Sequence, residues 1–242
     1  MRTIVPRTGR SRLRAVGLLA AVLVSAGCGR SEAPAPPAES GPQRPGPSAS
    51  PAGVAAGAAR IVFLGDSLSA GYGVAAQDAF PALVERLLRE QGQAVEVVNA
   101  GVSGDTSAGG LARLAWVLKT DPDVLVVELG ANDALRGQPL AGIESNLREI
   151  VRGAREHGAK VLLVGMDIPT SYGPSYTRGF AELYERLARE EGVAILPRFI
   201  REVGLDPRLM QPDGLHPTEE GHRRLADQLV PALRPLLPRK RP

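Results

Sequence analysis

Ile61-Val62-Phe63-Leu64-Gly65-Asp66-Ser67-Leu68-Ser69 decides how the chain is read. Four consecutive apolar residues without polar alternation describe a strand buried on both faces, as in a parallel sheet. Gly65 and Asp66 then break the run and leave the Ser67 hydroxyl hanging on the strand's end. A serine in that position is a candidate nucleophile. Taken alone, Gly-Asp-Ser is also an ordinary turn, because Asp and Ser side chains hydrogen-bond their own backbone.

The pattern repeats downstream. Short β-branched runs at 60–64, 95–98, 124–129, 160–164 and 193–196 alternate with longer amphipathic stretches. In the stretch 140–157, Leu140, Ile143, Leu147, Ile150, Val151 and Ala154 share one helical face. Glu144, Arg148, Glu149 and Arg152 lie opposite, and Gly158 ends the pattern. Strands separated by sheet-covering helices imply a three-layer α/β/α domain with a five-stranded parallel sheet. The expected strand order is the flavodoxin-like 2-1-3-4-5. Ligands of such sheets bind beyond the carboxyl ends of the strands, at the switch point between the first and third. Ser67, Gly104 and Asn132 follow strands one, two and three.

Those positions carry complementary chemistry. An alcohol is a poor nucleophile at neutral pH until a base takes its proton. The base works best when a carboxylate sets its tautomer and stabilises the imidazolium. His216 and Asp213 suit these roles. They share one short turn, Asp213-Gly214-Leu215-His216, ahead of a helix whose start is marked by Pro217, Thr218, Glu219 and Glu220. A tetrahedral intermediate then needs preorganised donors, for which the backbone N–H groups of Ser67 and Gly104 and the side-chain amide of Asn132 are the candidates. Glycine at 104 permits unusual dihedrals and a close backbone approach. Of the other singular residues, Trp116 is expected in the core, His157 at a helix end and His222 on a solvated helix face.

Composition narrows the function classes. The 242 residues hold one cysteine, Cys28, and three histidines, scattered at 157, 216 and 222. That pattern leaves no internal disulfide, no thiol catalysis in the folded domain and no metal-ligand cluster. No metal or cofactor is expected. Arg2, Arg7, Arg10, Arg12 and Arg14 precede an uncharged stretch, 15–26, that is too short to span a bilayer. Without these five arginines the formal charge of +3 becomes −2, which removes the electrostatic case for nucleic-acid binding. Residues 1–27 therefore read as an export signal. Leu23-Val24-Ser25-Ala26-Gly27-Cys28 resembles the bacterial lipobox, which implies lipidation of Cys28, with ordinary cleavage after a small residue as the alternative. Residues 28–59 are rich in Pro, Ala, Gly and Ser and read as a disordered tether, 60–238 as the folded domain, and 239–242 as a basic tail. The expectation is an exported monomer, lipid-anchored to a bacterial membrane and facing the periplasm or cell surface, or else soluble after secretion.

The Gly65-Asp66-Ser67-Leu68 block, the Gly104 block, Gly130-Ala131-Asn132-Asp133 and Asp213-Gly214-Leu215-His216-Pro217 together resemble the four blocks of the SGNH (GDSL) hydrolase family. The likeness runs from Arg60 to about Leu237. Ser103-Gly104-Asp105-Thr106-Ser107 and 130–137 are similar to its bacterial periplasmic thioesterase, lysophospholipase and arylesterase branch. The resemblance implies a serine esterase acting on small acyl esters, thioesters or lysophospholipids through an acyl-enzyme. Ser67 would be the nucleophile, His216 the base, Asp213 its orienter, and Ser67, Gly104 and Asn132 the oxyanion donors. It also implies a mobile acyl-pocket loop that includes Ile168, Pro169, Tyr172 and Gly173. Two other readings stand beside it: a carbohydrate O-deacetylase, for which an aromatic content of 4% offers few sugar platforms, and a non-catalytic ligand-binding lipoprotein. The nucleophile elbow of α/β-hydrolases does not fit, because the second glycine is missing and the serine follows the first strand.

Overall fold

The computed structural model describes residues 57–238. Cys28, the leader, most of the tether and the basic tail lie outside them. Strands β1 (Ala59–Gly65), β2 (Val95–Asn99), β3 (Val124–Glu128), β4 (Lys160–Val164) and β5 (Ala194–Leu196) form one parallel sheet in the order β2-β1-β3-β4-β5. The unalternating apolar runs are buried as expected: Ile61 to Leu64 and Val124 to Val127 have no accessible surface.

The helices are α1 (Ser67–Ala70), α2 (Phe80–Glu90), α3 (Ser107–Leu118), α4 (Ala131–Leu135), α5 (Leu140–Glu156), α6 (Pro174–Glu191), α7 (Arg201–Gly204) and α8 (Glu219–Leu233). Helices α2 and α8 pack together, and α3, α5 and α6 form a second contiguous row. The chain starts at an inner strand and crosses over to both sides of it, β2 on one and β3 to β5 on the other, which divides the helices in this way. On α5 the apolar face is buried as read. Part of its charged face meets α6 rather than open water: Arg148 bonds Glu190 and Glu191 at 2.7 and 2.8 Å, and Arg152 bonds Glu191 at 2.9 Å.

Two expectations are corrected. Trp116 is 49% exposed, because the buried stripe of α3 runs through Gly110, Leu114 and Val117 and turns residue 116 outward. His222 is fully buried, not solvated. It belongs to the α8 stripe that continues through Leu225, Ala226 and Leu229, and its Nδ1 accepts the Phe80 N–H at 3.2 Å. A donor at the start of α2 that has no partner within its own helix is thereby satisfied from another helix. Burial first, then the nearby His216, lowers the His222 pKa to about 4, so the ring is neutral at neutral pH.

The parallel register aligns the carboxyl ends of β1 and β3, with Gly65 beside Glu128. Every block singled out in the sequence follows the carboxyl end of β1, β2 or β3 or lies on the loop entering α8. The topology brings them to one rim.

Candidate active site

Ser67 opens the short helix α1, with Asp66 as N-cap. The Asp66 Oδ1 accepts the Leu68 N–H at 3.0 Å, so the polar pair that breaks the strand also starts the next turn. Ser67 Oγ lies 2.9 Å from His216 Nε2, and His216 Nδ1 lies 2.7 Å from Asp213 Oδ2. The other Asp213 oxygen accepts the backbone N–H groups of Leu215 and His216 at 2.9 and 3.0 Å. The turn therefore fixes the carboxylate before it meets the ring. The His216 side chain and then these backbone donors hold the Asp213 pKa down to about 2. Facing that anion, Nδ1 carries the imidazole proton and Nε2 presents its lone pair to the serine. Tyr72 covers the ring, with centroids 4.4 Å apart.

Asn132 lies on α4, at the end of β3. Its Nδ2 donates one hydrogen to Asp66 Oδ2 at 3.0 Å, which leaves the second for another acceptor. Gly104 has φ +79°, a conformation that penalises other residues, yet the nearest atom to an added Cβ is 3.9 Å away. The backbone dihedral, not a close approach, is what demands glycine there. Arg136 bonds the Gly104 carbonyl at 3.1 Å. Arg113 binds Gly65 O, Ala100 O and Asp105 Oδ2 at 3.0, 2.6 and 2.8 Å, joining the ends of β1 and β2 to the Gly104 loop. Asp133, next to Asn132, accepts both the N–H and the hydroxyl of Ser107 at 2.7 Å and so anchors the start of α3.

A cavity of about 570 Å³ opens beside Ser67, Asn132 and His216. Of the expected substrate loop, Ile168 and Pro169 line it. Tyr172 and Gly173 do not: the Tyr172 hydroxyl donates to Leu135 O at 2.9 Å, and Gly173 leads into α6. Gly104 also stands outside the lining. Met166, Ile200, Leu205 and Met210 form much of the apolar wall, and the ion pair Asp167–Arg198 (3.0 Å) lies within it. Sequence reasoning missed these residues, because they come from loops beyond β4 and β5 that have no periodic pattern. Among the described residues no group of three or more potential metal ligands occurs.

Two buried carboxyls behind the serine were also missed. Burial pushes Asp66 up to about 6. Glu128 is wholly buried, and desolvation, reinforced by the charge of Asp66, raises it well above the usual carboxylate range. A glutamate ending an otherwise apolar strand was the available signal.

With this geometry in hand, the comparisons with known proteins are decisive. Residues 63–224 match the GDSL-like Lipase/Acylhydrolase family. The chain belongs to that family. It is 43% identical to the esterase TesA of Pseudomonas aeruginosa over 183 residues, covering 75% of this chain and 91% of that protein. It is also 43% identical to the thioesterase 1/protease 1/lysophospholipase L1 of Escherichia coli K12 over 184 residues, 76% of this chain and 87% of that one. A crystal structure of TesA superposes with a TM-score of 0.72 at 42% identity, covering 74% of this chain and 99% of that chain. This GDSL family member thus shares both fold and sequence with named esterases.

Proposed function

We propose that the protein is a serine esterase that cleaves small acyl esters and thioesters through an acyl-enzyme on Ser67. The observation that carries the reading is the continuous line from Ser67 Oγ through the His216 ring to Asp213, with contacts of 2.9 and 2.7 Å. His216 Nε2 takes the hydroxyl proton as Oγ attacks the substrate carbonyl, and Asp213 stabilises the resulting imidazolium. The developing oxyanion accepts hydrogen bonds from the N–H groups of Ser67 and Gly104 and from the free hydrogen of Asn132 Nδ2. His216 then returns the proton to the departing alcohol or thiol. A water molecule, activated by the same ring, hydrolyses the ester on Ser67 and regenerates the serine.

The wall of Met166, Ile168, Ile200, Leu205 and Met210 suits an acyl chain. Among the described residues, none that lines the cavity is Phe, Tyr or Trp, which favours acyl chains over stacked sugar rings. The relatives' names, esterase and thioesterase/lysophospholipase, support the same substrate range, lysophospholipids included. Replacing Ser67 by Ala should abolish hydrolysis of a short p-nitrophenyl ester while the melting temperature stays within a few degrees. Retained turnover by that variant removes the assignment.

Export is part of the proposal: residues 1–27 as a signal, Cys28 as the lipidated residue, 28–59 as the tether and 60–238 as the enzyme, working as a monomer. Five arginines, a short uncharged run and a lone cysteine support it. Among the described residues no helix is long and apolar enough to cross a membrane. Mass spectrometry of the mature N-terminus from cells, for the native chain and Cys28→Ser, tests it: only the native chain should carry acyl groups on residue 28.

A further inference from the structure

The proposed mechanism makes no use of Glu128, yet this carboxyl is the most deeply buried charge-bearing group near Ser67. It has no accessible surface. Its Oε2 accepts from the Ser69 hydroxyl at 2.7 Å and from the backbone N–H groups of Asp66 and Ser69 at 3.3 Å each. Three donors from the turn that carries Ser67 thus converge on one oxygen. The other oxygen, Oε1, has no hydrogen-bond partner among the described residues. A carboxyl buried at such desolvation cost, half-partnered and aimed at the backbone of the nucleophile turn, is a poor choice for stability alone.

The turn is shaped around it. A Cβ at Gly65 would collide with Ser69 Oγ and stand 2.6 Å from Glu128 Oε2, so the glycine that opens the Gly-Asp-Ser-Leu block is required by the bonded Ser69–Glu128 pair behind it. Asp66, whose N–H points at Glu128, holds Asn132 Nδ2 through its side chain at 3.0 Å. The carboxyl of Glu128 therefore touches the two residues that flank Ser67 and Leu68, and one of them aims the Asn132 amide.

We infer that Glu128 is a positioning residue for the oxyanion hole: from behind the 65–69 turn it fixes the direction of the Ser67 N–H and, through Asp66, that of the Asn132 amide. It acts through these groups and touches no substrate, and the inference rests on the esterase reading of the site. Burial, reinforced by the charge of the neighbouring Asp66, shifts Glu128 toward its protonated form. Glutamine, which has the same shape, no charge and an acceptor oxygen, is accordingly its conservative replacement.

The test compares Glu128→Gln with Glu128→Leu. The leucine variant removes the acceptor, and a displacement of about 1 Å at an oxyanion donor costs on the order of 100-fold in rate. We expect its kcat on a short p-nitrophenyl ester to fall by about that factor with KM within about threefold, because the hole acts on the transition state. Glutamine should keep kcat within about fivefold, a rescue that filling space cannot explain. The rate of fluorophosphonate attachment to Ser67, which also develops charge in the hole, should fall in parallel. A folded leucine variant with kcat within fivefold of the native value overturns the inference. So does a loss confined to KM, or a glutamine variant as impaired as leucine. If leucine prevents folding, Glu128→Asp, with its carboxyl one methylene back, should lose about tenfold in kcat, and full activity there also overturns it. If the native protein labels at Ser67 but hydrolyses no ester, the esterase reading fails and the labelling rates alone decide the role of Glu128.

Discussion

Asn132→Ala isolates one donor of the proposed oxyanion hole. In the native structure Nδ2 has two hydrogens, and Asp66 Oδ2 takes one of them at 3.0 Å, which orients the other. Alanine removes both. Losing one of three oxyanion donors costs about 3 kcal/mol in the transition state, so kcat should fall on the order of 100- to 1,000-fold. Stability should change far less. Asp66 keeps the Leu68 N–H at 3.0 Å, and one lost hydrogen bond costs about 1 kcal/mol. Asn132→Asp should be worse still, since it places an acceptor where a donor is needed and sets a second carboxylate against Asp66. The assay is steady-state hydrolysis of a short p-nitrophenyl ester with kcat and KM resolved, beside thermal unfolding of each variant. A folded alanine variant that keeps kcat within tenfold, or whose whole loss lies in KM, would refute the reasoning.

Asp213→Asn turns an amide N–H toward His216 Nδ1, favouring the tautomer whose Nε2 already holds a proton. kcat should fall on the order of 10⁴-fold with the fold intact, checked by kinetics at pH 7 and circular dichroism. Gly104→Ala meets no atom within 3.5 Å but forces φ +79° on a residue with a Cβ; we expect a loss of about 1 kcal/mol in urea unfolding and a kcat reduced by about tenfold as the loop relaxes. His222 has its folded pKa lowered to about 4 from an ordinary value of 6.5. Its contribution to stability is complete above pH 6.5 and is lost as pH falls toward 4, with a slope of up to about 1.4 kcal/mol per pH unit. Asp66, raised to about 6, acts in the opposite sense: its contribution favours the fold at low pH and is lost as pH rises through 6. Comparing native protein with His222→Leu at pH 5 and pH 7 cancels the Asp66 contribution. The variant should be destabilised by about 1 to 3 kcal/mol at pH 7 and by less at pH 5.

The sheet was legible because a strand buried on both faces leaves an unalternating apolar run, and β1 and β3 are such runs. Ser67, Asn132, Asp213 and His216 were legible because each breaks a pattern at a strand end or a helix start. What the sequence hid depended on the partner across a gap. His222 looks polar on its own helix until Phe80 of α2 is placed against it. Trp116 looks like core until the phase of α3 is set by the sheet. The cavity wall from Met166 to Met210 comes from irregular loops with no period to read. Glu128 was written in plain view, and only its contacts with Ser69 and the Asp66 N–H point to the positioning role inferred for it.

The convergence of Ser67, His216 and Asp213 is tested most directly by treating the folded protein with a fluorophosphonate and mapping the adduct by peptide mass spectrometry. We expect a single adduct, on Ser67, formed rapidly in the native protein and slowed by orders of magnitude in His216→Ala. An adduct on any other residue, or a Ser67 that labels equally fast without His216, contradicts the proposed chemistry.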